Sequence, residues 1–115
     1  MDKIDFNFDK KTAVITGGAQ GFGLDIAKRF LNSGAKVIIW DIDPKMIEKS
    51  IKDLNNSNLS SNIVDVSNFN QVEKCVTEIT KDSNIDILIN NAGITGPTST
   101  LWEYDVEMWK KIVDI

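Results

Sequence analysis

The sequence of 115 residues contains no histidine, one cysteine and two prolines. Histidine and cysteine are the main protein ligands of zinc, so their near absence predicts that the protein has no zinc site. A single cysteine also cannot form an internal disulfide. Cys75 shares helical spacing with Val72, Val76 and Ile79, which predicts a small core residue rather than a reactive one.

Long apolar runs and clustered basic charge are also absent. No run approaches the roughly 20 apolar residues that a membrane-spanning helix needs, and the N-terminal residues lack the apolar stretch of a secretory signal. The net charge is −4, and the 13 lysines and arginines are scattered along the chain. Neutralising phosphates requires clustered basic residues. We therefore expect a cytoplasmic protein that binds neither nucleic acid nor membranes.

The sequence does contain short apolar runs that alternate with helical patterns. Four runs have the length and composition of strands in a buried parallel sheet, and a helical pattern of apolar residues follows each one; they are Ala13–Ile15, Lys36–Trp40, Leu59–Val64 and Ile85–Ile89. Single helices are the usual connections between parallel strands. The pattern predicts one domain, residues 1–115, with a doubly wound parallel α/β sheet in the order β-α-β-α-β-α-β-α.

The first predicted strand runs into a glycine-rich turn that precedes the first predicted helix. Gly17, Gly18, Gly21 and Gly23 lie in this turn. The N-terminus of a helix offers unpaired N–H groups and partial positive charge, and glycine lets an anion approach the backbone closely. No lysine follows the last glycine, so the turn is not a P-loop. It predicts a site for the pyrophosphate of a dinucleotide, the alternative being that the glycines only shape a tight turn.

Two aspartates follow predicted strands at the same edge of the sheet. Asp41 ends the second strand 18 residues after Gly23, where an acidic side chain binds the adenosine ribose and repels the 2′-phosphate of NADP. Its neighbours, Trp40 and Ile42, include no arginine that would reverse this preference, so NAD is expected. Asp65 follows the third strand and could accept a hydrogen bond from adenine. An exposed loop residue remains the alternative for Asp41, and a helix cap or a solvated residue for Asp65.

The fourth predicted strand delivers the segment Asn90-Asn91-Ala92-Gly93. Two amide side chains at this point could fix the geometry between the sheet and the following loop. The small residues Ala92 and Gly93 leave room for a ribose. A simple turn is the alternative, because asparagine and glycine are common turn formers.

Together these segments resemble the short-chain dehydrogenase/reductase family, in its ordinary rather than its extended branch. The matching pieces are T-G-G-A-Q-G-F-G from Thr16 to Gly23, which fits the family pattern T-G-x-x-x-G-x-G, then Asp41, the pair Asp65-Val66, and N-N-A-G from Asn90 to Gly93. The resemblance implies a Rossmann-type fold that binds a nicotinamide dinucleotide. It covers the whole chain.

The resemblance also assigns the parts of the cofactor to positions in this chain. The pyrophosphate would lie on the turn, which includes Gly17, Gln20, Gly21, Phe22 and Gly23. The adenosine ribose would bind Asp41. Asp65 and Val66 would flank adenine. Asn90, Ala92 and Gly93 would line the ribose side of the cofactor.

The implied activity is that of an NAD-dependent oxidoreductase, which transfers hydride between nicotinamide and a small alcohol or carbonyl compound. A 3-oxoacyl-carrier-protein reductase and a sugar or alcohol dehydrogenase are both compatible with these residues. The resemblance also implies a homodimer or homotetramer. The serine, tyrosine and lysine that catalyse this reaction in the family are not matched, because Tyr104 is followed four residues later by Met108. We expect the chain to correspond to the N-terminal half of such an enzyme and to be inactive alone. A non-catalytic dinucleotide-binding module is the alternative.

Overall fold

A computed structural model of the chain describes residues 4–94 and 98–115. Strands and helices alternate along these residues. The strands are β1 (Thr12–Thr16), β2 (Lys36–Asp41), β3 (Leu59–Ile63) and β4 (Ile87–Ile89), and the helices are α1 (Gly21–Asn32), α2 (Pro44–Leu54), α3 (Phe69–Thr80) and α4 (Val106–Asp114). A short 3-10 turn, Leu101–Glu103, precedes α4. The predicted order of elements is confirmed.

The four strands form one parallel sheet in the order β3-β2-β1-β4. All five residues of β1 are buried, because this strand has a neighbour on each side and helices over both faces. Ile15, Val37 and Ile39 belong to the core on the face that α1 and α2 cover, whereas Val14 and Trp40 pack with α3 on the opposite face. The doubly wound α/β architecture is therefore confirmed.

Strand β4 is shorter than its apolar run predicts. It begins at Ile87 rather than Ile85, because Asp86 meets the start of β1 with its side chain. The Oδ2 atom of Asp86 accepts from the Thr12 N–H at 2.9 Å, while the Asp86 N–H donates to the Thr12 carbonyl at 2.9 Å. The strand forms one edge of the sheet, and Leu88 is exposed there.

The connections after β2 and β3 use aspartate and asparagine as helix caps. Asp43 caps α2 directly before its first residue, Pro44, because the Oδ1 atom of Asp43 accepts from the Lys45 N–H at 3.0 Å. Asn68 caps α3, because its Oδ1 atom accepts from the Gln71 N–H at 3.1 Å. Asp41 is thus the last residue of β2, and Asp65 lies in the loop between β3 and α3. Among the described residues, none of the helices combines the length and the apolar composition of a membrane span.

Candidate functional site

A cleft of about 370 Å³ lies at the carboxyl edge of the sheet, over the ends of β1, β2 and β4 and the loop after β3. Ligands of open α/β sheets bind at this edge. Most of the site residues predicted from the sequence line the cleft, namely Gly17, Gln20, Phe22, Asp41, Asp65, Val66, Ala92 and Gly93. Gly21, Gly23 and Asn90 are not among the lining residues.

Gly23 supports the turn from behind. A Cβ atom on this residue would collide with the carbonyl oxygen of Gly17 and would lie 2.6 Å from Nδ2 of Asn91. The first turn of α1 can therefore pack against the end of β1 only because position 23 has no side chain. Gly23 acts on the cleft through the position of Gly17.

Gly21 has a different role, because a Cβ atom there would meet nothing within 4 Å. Its φ of +58° lies in the left-handed region, which glycine adopts without strain. Gly17 has a φ of +64° for the same kind of bend. The open space before Gly21 lets a ligand reach the N-terminus of α1 without obstruction by a side chain.

The N-terminus of α1 fits an anionic ligand. Gln20 occupies the cap position without a side-chain hydrogen bond to the helix, and the first turn contains no acidic residue. The N–H groups of the first turn of any helix have no partner inside the helix. They are thus available, together with the positive end of the helix dipole, to a phosphate group in the cleft.

The carboxylate of Asp41 is fixed by the backbone on both oxygens. Asp41 is only 7% exposed, its Oδ2 atom accepts from the Ala19 N–H at 3.2 Å, and its Oδ1 atom accepts from the Asp43 N–H at 3.2 Å. Among the described residues no lysine or arginine forms an ion pair with it. Because a carboxylate can accept about four hydrogen bonds, Asp41 retains acceptor capacity for ribose hydroxyls.

Asp65 is held in a local turn at the mouth of the same cleft. Its Oδ1 atom accepts from the Ser67 hydroxyl at 2.6 Å and from the Ser67 N–H at 3.0 Å. The Ser67 hydroxyl, and to a smaller degree the Ser67 N–H, lower the pKa of Asp65 below its ordinary value because both donate to the ionised form. Asp65 is therefore a charged acceptor at neutral pH. The α3 cap is Asn68, not Asp65.

The segment after β4 is joined to the end of β1 by Asn91 and Thr16. The Nδ2 group of Asn91 donates to the carbonyl oxygens of Thr16 and Gly17, each at 3.2 Å. The Oγ1 atom of Thr16 accepts from the N–H groups of Asn91 at 3.0 Å and Ala92 at 2.9 Å. The amide that fixes the sheet-to-loop geometry is Asn91, whereas Asn90 is exposed and lies outside the cleft lining.

Trp40, Ile42 and Asn91 also line the cleft, although they are not among the site residues predicted from the sequence. Each of them is next in the sequence to a predicted site residue, and this adjacency is the feature of the sequence that could have identified them. The indole N–H of Trp40 is buried and has no hydrogen-bond partner among the described residues. Residues 4–94 and 98–115 contain no group of three or more acidic, cysteine or histidine side chains that could hold a metal ion.

Comparison with known proteins agrees with this geometry. The family model described as short chain dehydrogenase matches residues 11–115. The 3-oxoacyl-[acyl-carrier-protein] reductase of Chlamydia muridarum is 37% identical over 108 residues, which are 90% of this chain and 43% of that protein. The 2-dehydro-3-deoxy-L-rhamnonate dehydrogenase (NAD(+)) of a Sphingomonas species is 32% identical over 110 residues, which are 91% of this chain and 42% of that protein.

A solved structure has the same fold. The crystal structure of gox2181 superposes with a TM-score of 0.88 at 34% identity, over 95% of this chain and 44% of that one. This chain thus spans less than half the length of the curated relatives that it matches. The match of the family model across nearly all of the sequence, together with the glycine turn and the parallel sheet, shows that the chain belongs to the short-chain dehydrogenase family.

Proposed function

We propose that the protein is an NAD-dependent oxidoreductase that interconverts an alcohol and a carbonyl group on a small molecule. The observation that carries this proposal is the position of Asp41, whose carboxylate lies at the tip of β2 and accepts a hydrogen bond from Ala19 in the glycine turn. One hydrogen bond, from the Ala19 N–H to the Asp41 carboxylate, thus links the predicted ribose acceptor to the predicted pyrophosphate site. Bound nicotinamide would supply the hydride chemistry, and the residues described here would bind and orient the cofactor.

The proposed contacts follow the lining of the cleft. The glycine turn and the N-terminus of α1 hold the pyrophosphate, Asp41 accepts from the adenosine ribose, and Asp65 with Val66 contacts adenine. Ala92 and Gly93, with Asn90 beside them, form the wall next to the second ribose. The apolar lining beside Asp41, contributed by Trp40 and Ile42, would exclude water from this part of the cofactor.

The preference for NAD follows from the charge of Asp41. A 2′-phosphate would bring more negative charge close to this buried carboxylate, and like charges placed together in an interface cost several kcal/mol. No basic side chain among the described residues pairs with Asp41 to offset that cost. The Sphingomonas relative is named as an NAD(+) enzyme, which supports the same preference here.

Catalysis requires residues that this chain does not contain. A free phenol has a pKa near 10 and is a poor base at neutral pH, so the family places a lysine four residues after its tyrosine. Position 108 is methionine. We propose that a longer natural chain supplies the tyrosine and lysine, acts on a 3-oxoacyl thioester, sugar or simple alcohol, and works in the cytoplasm as a homodimer or homotetramer. The 115-residue chain alone should show no oxidoreductase activity above a no-protein control.

The test uses the longest natural reading frame that contains this sequence. Its kcat/KM is measured with NAD and with NADP, using a panel of acyl, sugar and alcohol substrates. We expect the wild type to prefer NAD by more than tenfold and Asp41→Ala to lose most of that preference. Asp53→Ala removes a charge from the exposed side of α2 and serves as the matched control. A wild type that prefers NADP, or an Asp41→Ala variant with an unchanged ratio, would contradict the proposal.

The alternative is a module that binds NAD without catalysis, and the missing tyrosine–lysine pair favours it. A reading frame that ends at Ile115, with NAD binding but no turnover, would support the module. A frame that continues into a serine and a Y-x-x-x-K sequence would rule it out.

A further inference from the structure

Hydrogen bonds tie the glycine turn to β2 and α2. The Gly18 N–H donates to the Trp40 carbonyl at 3.2 Å, and the Ala19 N–H donates to Asp41. From the other side, the Ser50 hydroxyl donates to the Ala19 carbonyl at 2.6 Å. Ala19 is thus held at both its N–H and its carbonyl, by residues from two different elements.

Ser50 lies on the buried side of α2 and is 3% exposed. Its Oγ atom is also 2.9 Å from the Met46 carbonyl one turn earlier in the helix. A hydroxyl has one proton and donates one full hydrogen bond at a time. The shorter distance and the complete burial of Ala19 favour the Ala19 carbonyl, which has no access to water and would otherwise lose its partner.

The orientation of the Ala19 carbonyl determines where the next N–H group points. A trans peptide is planar, so the carbonyl of Ala19 and the N–H of Gln20 point in opposite directions. Because Ser50 draws the carbonyl toward α2, the Gln20 N–H points away from α2. Gln20 lines the cleft, and within the described residues no protein group accepts a hydrogen bond from its N–H.

We propose that Ser50 is a positioning residue that holds the peptide between Ala19 and Gln20 so that the Gln20 N–H donates to the pyrophosphate of the cofactor. The inference rests on the proposed function, since it assumes that a dinucleotide occupies the cleft. Ser50 does not touch the ligand. It acts through the peptide that follows Ala19 in the glycine turn, where the pyrophosphate is proposed to bind, whereas adenosine is proposed to bind at Asp41 and Asp65.

Isothermal titration calorimetry with ADP-ribose and with adenosine tests this inference on the protein encoded by the longest natural reading frame, as the wild type and as Ser50→Ala. We expect Ser50→Ala to bind ADP-ribose about five- to tenfold more weakly, the usual effect of one lost hydrogen bond, and to bind adenosine within twofold of the wild type. Thr77→Ala is the matched control. It removes a hydroxyl that donates to the carbonyl four residues earlier on α3, at 2.9 Å, and does not line the cleft.

Ser50→Cys provides a second variant that keeps nearly the same shape with a weaker donor. It should lose ADP-ribose affinity in the same direction, and it decides the question if Ser50→Ala does not fold. Equal losses for adenosine and ADP-ribose would show that Ser50 is merely structural, and unchanged ADP-ribose affinity in both variants would also overturn the inference. If the wild type binds neither compound, the proposed function fails and the inference fails with it; if the wild type binds both, only the role of Ser50 is in question.

Discussion

Replacing Gly23 by alanine should destabilise the protein more than the same change at Gly21. The added Cβ at position 23 would overlap the Gly17 carbonyl oxygen and crowd Nδ2 of Asn91 at 2.6 Å. Gly17 cannot move aside easily. A Cβ built on Gly17 would itself lie 3.0 Å from the Cα atom of Ala92, so the turn is already packed closely against the segment after β4.

The magnitude can be built from three terms. Overpacking a closely packed site costs about 1–3 kcal/mol, and losing the hydrogen bonds from Asn91 to Thr16 and Gly17 costs about 1 kcal/mol each. Alanine gains up to about 1 kcal/mol over glycine in a helix. The free energy of unfolding should therefore fall by about 2–4 kcal/mol. At Gly21 no neighbour lies within 4 Å, and the positive φ alone costs about 1–2 kcal/mol.

Urea unfolding followed by tryptophan fluorescence measures both variants. Trp40 is 4% exposed and should dominate the change in emission on unfolding, because Trp102 and Trp109 are exposed in the folded chain. For a domain of this size, the loss at Gly23 corresponds to a fall in Tm of roughly 10–20 °C. A free energy of unfolding for Gly23→Ala within about 1 kcal/mol of the wild type, or a larger loss for Gly21→Ala than for Gly23→Ala, would show that position 23 is not closely packed.

Two further predictions concern polar groups around the cleft. Thr16→Val keeps the shape of the side chain but removes the acceptor for the N–H groups of Asn91 and Ala92, so the free energy of unfolding should fall by about 2–3 kcal/mol. Thr16→Ser should recover most of this loss. A loss below about 0.5 kcal/mol in Thr16→Val would contradict the role of the Thr16 hydroxyl as that acceptor. Ser67→Ala should raise the pKa of Asp65 toward its ordinary value of 3.8, as measured by carboxyl NMR titration. Because folding lowers this pKa, its contribution to stability is present above pH 3.8 and disappears as the pH falls through the folded value; an unchanged pKa in Ser67→Ala would show that Ser67 does not cause the shift.

The strands in the middle of the sheet could be predicted from the sequence, whereas the start of β4 could not. Ala13, Val14 and Ile15 are apolar because both faces of β1 are covered, so their burial is visible in the sequence itself. Ile85 is also apolar, but it packs beside the sheet with the core around Val14 and does not extend β4. The strand starts late because Asp86 bonds to Thr12, a residue distant in the sequence.

The location of the cleft could be predicted, but the contacts within it could not. Parallel strands bring their carboxyl ends to one edge, so Asp41, Asp65 and the segment after β4 were expected to lie together. Which of the two asparagines turns inward depends on register. Ile89 pairs with Ile15, so the chain continues with Asn91 beside Gly17, and the side chain of Asn91 reaches the turn.

Ser50 shows how the two kinds of information combine. Its helical spacing in the sequence from Ile47 and Leu54 places Ser50 on the inward side of α2. A serine hydroxyl buried at such a position needs a hydrogen-bond acceptor. The sequence therefore carries a signal for an internal hydrogen bond, with the Met46 carbonyl as the local partner that any helix would offer. That the hydroxyl also reaches Ala19 depends on how closely α2 packs beside the glycine turn. A single buried hydroxyl thereby couples the second crossover of the fold to the peptide between Ala19 and Gln20, beside the cleft.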